Sequence, residues 1–428
     1  MRGICISCLL FCSSHAIYGQ IVKPKEVAKE VGTNTVNGDI RSGINNAADK
    51  ANNELKGLFK KKRKTEEKAP QPATQASQPA PITPTPPAET TAQRAAATGS
   101  FKSYSNYDFV PGDKIVFEDN FADDQDGEFP AHWRLGSGQA VLNKMGDKEA
   151  LLLTDGNFAH VSPLIKGAKY LSDTFTIEFD NYSDGGYGPH LFFYSTNADA
   201  VGAVNNLGEV NICNGNNWEG VYVATADKTT ELTGKYPSEL QEENYSRKWH
   251  HIAIVYRHQQ IKVYVDQYRI VTVPNINIAP GAFDIEGIGD AKAPIVIANL
   301  RVANGGGMNM WGKKVTDAKI ITHGINFDID KATIKPESMG TLNMIVKILN
   351  DNAGIKYEVD GHTDNSGGAA HNLTLSQQRA DAVKQQLVAM GISADRLTTK
   401  GLGDTKPISE NTTIEGKANN RRVEFIKK

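Results

Sequence analysis

Gly361-His-Thr-Asp-Asn-Ser-Gly367, continued by Asn372, Leu375, Ser376, Arg379 and Ala380 and answered by Asn420-Arg-Arg-Val423, is the stretch that decides the C-terminal part of this chain. A carboxylate, Asp364, stands in a loop bounded by glycines, and a guanidinium, Arg379, follows fifteen residues later in a segment of helical periodicity. Asn372, Leu375, Ser376 and Arg379 are spaced by three, four and seven positions, so they share one helix face. That face is partly polar and lies about 100° from the apolar stripe of Ala380, Val383, Leu387 and Met390, so it reads as something other than core. Free N–H groups at the helix start favour a carboxylate ligand beside Arg379, and Asp364 suits an ammonium. A zwitterionic amino-acid centre satisfies both charges. From the residues alone, a direct Asp364–Arg379 salt bridge that only braces the fold is an equal alternative.

Working outward, residues 318–428 read as a β-α-β-α-β-β domain. The first helix starts after Pro336 and buries Met339, Leu342, Ile345, Val346 and Leu349. Ile355–Val359 is the strand feeding the Asp364 loop, Gly391 caps the second helix, and Arg422–Lys427 closes the sheet.

This ordered set of motifs resembles the OmpA-like peptidoglycan-binding family, over about a quarter of the chain. The resemblance implies that Asp364 and Arg379 grip diaminopimelate in the peptidoglycan stem peptide. It also implies a pocket drawing on Asn326, Asp328, Thr363, Asn372 and Leu375. Arg421 and Arg422 match the family's closing asparagine-arginine-arginine segment, in which one arginine is usually structural. His362 has no second His or Cys at ligand spacing and reads as a loop-packing residue.

Residues 105–303 show a different pattern, short alternating runs separated by Gly, Asn and Asp. Phe175, Ile177 and Phe179 alternate with Thr176, Glu178 and Asp180. Ile252, Ile254 and Tyr256 lead through Arg257-His-Gln-Gln260 into Ile261, Val263 and Val265, an antiparallel hairpin with one buried face. Many such strands predict a jelly-roll β-sandwich. Trp249–Tyr256 with Ile261–Asp266 resembles the penultimate hairpin of laminin-G/concanavalin-A-like sandwiches, and Pro294–Val302 resembles their closing strand. A transmembrane barrel is rejected, because its strands need nine to eleven uninterrupted residues.

Glu178-Phe-Asp180 approaches the carboxylate spacing of jelly-roll endoglucanases, but Ser183 stands where the acid/base carboxylate belongs. A retaining mechanism needs two carboxyl groups about 5 Å apart, so Glu178 and Asp180 read as exposed strand residues. Asp123-Asp-Gln-Asp-Gly127 carries oxygen ligands at calcium-like spacing around Asp124–Asp126 without the remainder of a calcium loop, and reads as a solvated turn. Tyr187 and Trp218, each among amides and glycines, are the candidate glycan-binding residues.

Upstream, residues 1–19 read as a secretory signal peptide with Arg2 as its positive start, and Phe11 before Cys12 argues against a lipobox. Residues 20–64 form a basic amphipathic helical segment ending in Lys60-Lys-Lys-Arg-Lys64. Residues 65–104 are a disordered Pro/Ala/Thr-rich linker, too poor in apolar surface to offset ordering entropy. A Gly-rich hinge, 304–317, separates the two folded domains. Removal of the signal leaves Cys213 as the lone thiol, which reads as a small buried side chain.

The 47 basic and 49 acidic residues nearly cancel, which gives no footprint for nucleic acid. The sequence therefore predicts a non-enzymatic, exported protein of the periplasm, associated with the outer membrane and cell wall. Peptidoglycan is its expected partner, and an outer-membrane protein or a glycan would meet the sandwich. No metal or other cofactor is expected. The alternative is a carbohydrate-active or glycan-binding protein that uses its last domain only for cell-wall placement.

Overall fold

Phe175, Ile177 and Phe179 enter the core from one side of a ten-residue strand while Thr176, Glu178 and Asp180 leave from the other, and this alternation builds the first domain. The computed structural model describes residues 107–146, 148–154, 158–200, 204–215, 218–287, 295–306 and 319–428. The signal peptide, basic segment and linker lie outside the described residues, as does nearly all of the hinge.

The strands of the first domain are β1 (Lys114–Asp119), β2 (Trp133–Ser137), β3 (Ala140–Met145), β4 (Lys148–Leu153), β5 (Ala159–Pro163), β6 (Thr174–Ser183), β7 (Gly186–Tyr194), β8 (Gly208–Gly215), β9 (Trp218–Thr225), β10 (Glu231–Lys235), β11 (Lys248–Arg257), β12 (Gln260–Val265), β13 (Tyr268–Val273), β14 (Ala282–Gly287) and β15 (Ile295–Asn304). An eight-stranded sheet runs β13-β12-β11-β6-β15-β4-β3, with β1 also on β15, and a seven-stranded sheet runs β10-β9-β8-β7-β14-β5-β2. Side chains of both sheets, such as Ile177 and Ile254 from the first and Leu191 and Phe283 from the second, meet in one core. The β11–β12 hairpin turns at His258 and Gln259, both in the left-handed region, as a tight two-residue turn requires.

The last domain takes β16 (Lys319–Thr322), α1 (Met339–Asp351), β17 (Tyr357–His362), α2 (Ala369–Ala389), β18 (Leu397–Gly403), α3 (Ile414–Asn420) and β19 (Val423–Lys427). Its sheet order is β16-β19-β17-β18, with β17 and β18 parallel and the other pairs antiparallel. The short α3 adds a helix to the expected β-α-β-α-β-β order. Its seven residues carry too brief a period to stand out in the sequence, and Thr413 Oγ1 caps it by accepting from Gly416 N–H. Gly391, at φ +99°, ends α2 as expected. No helix among the described residues is long and apolar enough to cross a membrane.

The described residues cluster into one unit, and the outer face of the larger sheet shows how. Ala253, Val255 and Tyr264 on that face share a core with Leu342, Ile345, Val359 and Phe425 of the last domain. Tyr107 and Phe109 belong to the same core, Tyr264 meeting both rings edge-on at 5.5 and 5.6 Å. The backbone of Phe109 lies so close to Gly340 that a Cβ there would stand 1.7 Å from its carbonyl oxygen. The expectation of one buried hairpin face is therefore corrected: both faces are buried, one by the opposite sheet and one by the last domain. Glu178 is likewise 3% exposed rather than solvated, for the same reason.

Candidate functional site

The helix face read as something other than simple core is packed on the sheet. Asn372, Leu375 and Ser376 are all buried, and Gly361, Gly401 and Gly403 are what allow it. A Cβ on Gly361 would fall 2.3 Å from Ser376 O, and one on Gly401 would fall 2.4 Å from Gln377 N. The strand glycines thus let α2 lie directly on β17 and β18. Ser376 Oγ accepts from Gly403 N–H at 2.8 Å, and Gln377 Oε1 accepts from Gly401 N–H at 2.7 Å. Arg379 stays half-buried at the edge of this contact.

Asp364 follows the end of β17 and is only 7% exposed. Oδ1 accepts from Ser366 N–H at 2.8 Å, and Oδ2 accepts from Arg421 Nη1 at 2.5 Å. Burial works to raise the Asp364 carboxyl, but Arg421 and the Ser366 N–H override it and hold it below its ordinary value. The ion pair formed by Asp364 is thus with Arg421, while Arg379 has partners of its own. Arg379 Nε donates to Lys331 O at 2.9 Å, Nη2 donates to Asp328 O at 3.4 Å, and its carbon centre sits 5.0 Å from the Phe327 ring. Burial, followed by the neighbouring charge of Arg421, pushes the Arg379 guanidinium below its ordinary value.

Asn372 Nδ2 donates to Asp364 O at 3.2 Å and so fixes the loop backbone. Thr363 is held through its N–H to Gly403 O, and its buried hydroxyl has no hydrogen-bond partner. Asp328 N–H donates to Thr333 O, closing a small loop bridged by Phe327 and Ile334. Asn326 Oδ1 accepts from Arg301 Nη1 of the first domain at 3.0 Å. Of the two closing arginines, Arg422 is the structural one: it is buried, with Nε on Glu424 Oε1 and Nη2 on Lys406 O. His362 is buried too, and burial with the nearby Arg422 charge lowers it to about 4, which keeps it neutral.

Several contacts around this site escaped the sequence reading. Arg421 is the direct partner of Asp364, and its second arm bonds Glu118 of the first domain. Phe327 underlies Arg379. His371 Nε2 meets Asp330 Oδ1 at 2.6 Å, tying α2 to the small loop. The resemblance marked Arg421 without a role, and a contact between positions 303 apart leaves no mark on local periodicity.

Elsewhere, Glu178 and Asp180 face the covered side of the larger sheet. Asp180 takes Lys148 Nζ at 2.6 Å, Asn299 Nδ2 at 2.7 Å and His251 Nδ1 at 3.1 Å, so its carboxylate is held far down despite burial. Tyr187 is 61% exposed, and Trp218 opens β9 opposite Gly215. Asp123 and Asp126 are exposed, whereas Asp124 comes together with Asp119 and His132, one ligand atom of each lying within 4.8 Å of the others. That trio could hold a metal, although Asp119 already accepts from Phe121 N–H and the Trp133 indole.

Residues 326–421 match the model of the OmpA family. The probable lipoprotein YiaD of Escherichia coli (strain K12) is 45% identical over 101 residues, which is 24% of this chain and 46% of that one. Outer membrane porin F of Pseudomonas fluorescens is 43% identical over 100 residues, 23% of this chain and 31% of its own length. The peptidoglycan-binding protein ArfA of Mycobacterium bovis is 40% identical over 102 residues, 24% and 31% of the two chains. This chain thus spans less than half the length of each of these relatives. The Gly361–Gly367 motif, the α2 signature and the family match coincide on the same stretch, and the C-terminal domain of this chain is an OmpA-like module.

Proposed function

We propose that this is a non-enzymatic cell-envelope protein that holds peptidoglycan non-covalently through residues 318–428 and tethers the outer membrane, or a partner, to the cell wall. Asp364 takes the ammonium and Arg379 the carboxylate of the diaminopimelate centre in the stem peptide. Asn372, Thr363, Leu375, Asp328 and Asn326 shape the surroundings. The observation that carries this reading is that Asp364 and Arg379 are each fixed by partners of their own, on adjoining elements, with opposite charges. One relative is named for peptidoglycan binding and another as an outer membrane porin, which supports a place in the periplasm against the outer membrane and wall.

The first domain fits a laminin-G/concanavalin-A-like jelly roll, supported by its two antiparallel sheets on one core. The burial of Glu178 beneath the last domain supports a non-hydrolytic role. Exposed Tyr187, at the start of β7, supports a glycan or protein partner at that end of the sandwich.

The test is co-sedimentation of the whole chain with purified sacculi. Asp364→Ala and Arg379→Ala should each weaken binding by about 2–5 kcal/mol, roughly 30- to 4,000-fold. Variants that fold and bind like the wild type would overturn the assignment.

A further inference from the structure

Glu118 on β1, Arg301 on β15 and Glu178 on β6 stand in one cross-strand row of the larger sheet. The bulge in β15 between Ala298 and Arg301 is where that strand's register shifts beside the row. Glu118 Oε1 accepts from Arg301 Nε at 2.8 Å and from Nη2 at 2.6 Å. Its other oxygen, Oε2, accepts from Arg421 Nη2 of the last domain. Arg421 gives its remaining arm to Asp364. Arg301, Glu118, Arg421 and Asp364 thus form a chain of alternating sign that runs from the sandwich to the ligand loop. Burial alone would raise the Glu118 carboxyl, but the charges of Arg301 and Arg421 hold it at about 2, so it is an anion at ordinary pH. The domains are locked beside this chain by Asn419, whose side-chain amide pairs with both backbone groups of Ile115 at 2.8 and 3.1 Å.

We propose that Glu118 is a positioning residue of the wall-binding site, so that the β-sandwich sets the charge with which the OmpA-like module meets its ligand. The inference rests on the reading of Asp364 as acceptor of the ligand's ammonium. A guanidinium is a rigid fork, and with one arm held by Glu118 only the other engages Asp364. The Glu118 charge also offsets that of Arg421. Without it, Arg421 is balanced by Asp364 alone and the surroundings of Asp364 and Arg379 gain one positive charge, which disfavours an ammonium and favours a carboxylate.

Glu118→Gln in the full chain removes the charge and keeps the size. Two soluble probes read the result by calorimetry: meso-diaminopimelate, and pimelate, which has the same carbon chain and carboxylates without ammonium groups. Diaminopimelate should bind about tenfold more weakly (~1.4 kcal/mol), pimelate should hold or tighten, and Glu118→Asp should recover part of the loss. Equal loss of both probes would point to a distorted pocket and overturn the proposal, and so would an unchanged ratio. Asp364→Ala, run alongside, separates the two layers. If it loses diaminopimelate while Glu118→Gln does not, only the role of Glu118 falls. If Asp364→Ala binds normally, the site assignment itself fails and takes this inference with it.

Discussion

Asp360→Asn should stabilise the protein above neutral pH and do nothing for it in acid. Asp360 lies on β17, four residues before Asp364, between Lys400 of β18 and Glu424 of β19. It is 6% exposed, and its Oδ1 is buried with no hydrogen-bond partner. Burial first, and the charge of Glu358 second, raise its carboxyl from 3.8 to about 6. Between those two values the folded chain keeps a proton that the unfolded chain has lost. Stability therefore falls as pH rises through this window, and the loss is complete above about pH 6. Two pKa units at 1.36 kcal/mol each set an upper bound of about 3 kcal/mol. Relaxation around the charge brings the expected gain for the asparagine variant to roughly 1–3 kcal/mol at pH 7.5. Below pH 4 the wild-type side chain is itself neutral and the gain should vanish. Urea unfolding followed by the helical circular-dichroism signal, which α1 and α2 dominate, measures both conditions. A variant no more stable than wild type at pH 7.5, or one whose advantage persists at pH 4, would refute the account of Asp360 as an uncompensated buried charge.

Other outcomes follow from the same geometry. Tyr264→Ala removes the ring that meets Tyr107 and Phe109 and the hydroxyl that donates to Asp108. Calorimetry should show about 3–5 kcal/mol of lost stability, with the module's transition moving apart from that of the sandwich. Arg379→Lys keeps the charge but loses the fork on Lys331 O and Asp328 O and the stack on Phe327, so sacculus binding should weaken about tenfold while the fold survives. His251 is pulled down by burial, but Asp180 and Glu178 prevail and lift it to about 10. Its contribution is thus fully present below about pH 6.5 and lost as pH rises toward 10, so His251→Gln should destabilise strongly at pH 6 and much less at pH 10 in parallel melts.

The C-terminal domain was the most legible part of the chain because its signals are local. Met339, Leu342, Ile345 and Leu349 repeat at helical spacing and are buried as that spacing predicts, with Ile348 joining them and Val346 only partly covered. Gly391 ends α2 where a left-handed residue was needed. The close packing of Asn372, Leu375 and Ser376 on the strands was not legible, because their partly polar character concealed it. Gly361 and Gly401 are what bring the helix onto the strands, and a glycine on a neighbouring strand does not alter the period of the helix it admits.

Strand alternation and helix period are properties of neighbouring residues, so the sequence by itself determined the two kinds of domain, the Asp364 loop and the Arg379 helix. It also determined the inward set of Phe175, Ile177 and Phe179, since a pleated strand sends alternate side chains to opposite faces. Which face meets water is another matter. Ala253 and Val255 read as the outer side of a sheet, and it is the packing of Tyr107, Phe109 and the last domain, whose first strand lies more than sixty residues further along the chain, that buries them. The same holds for charge. Asp364 and Arg379 announced themselves by spacing, but the assignment of Arg421 to Asp364 and to Glu118 was decided by packing, because an ion pair forms wherever the finished fold brings opposite charges within reach.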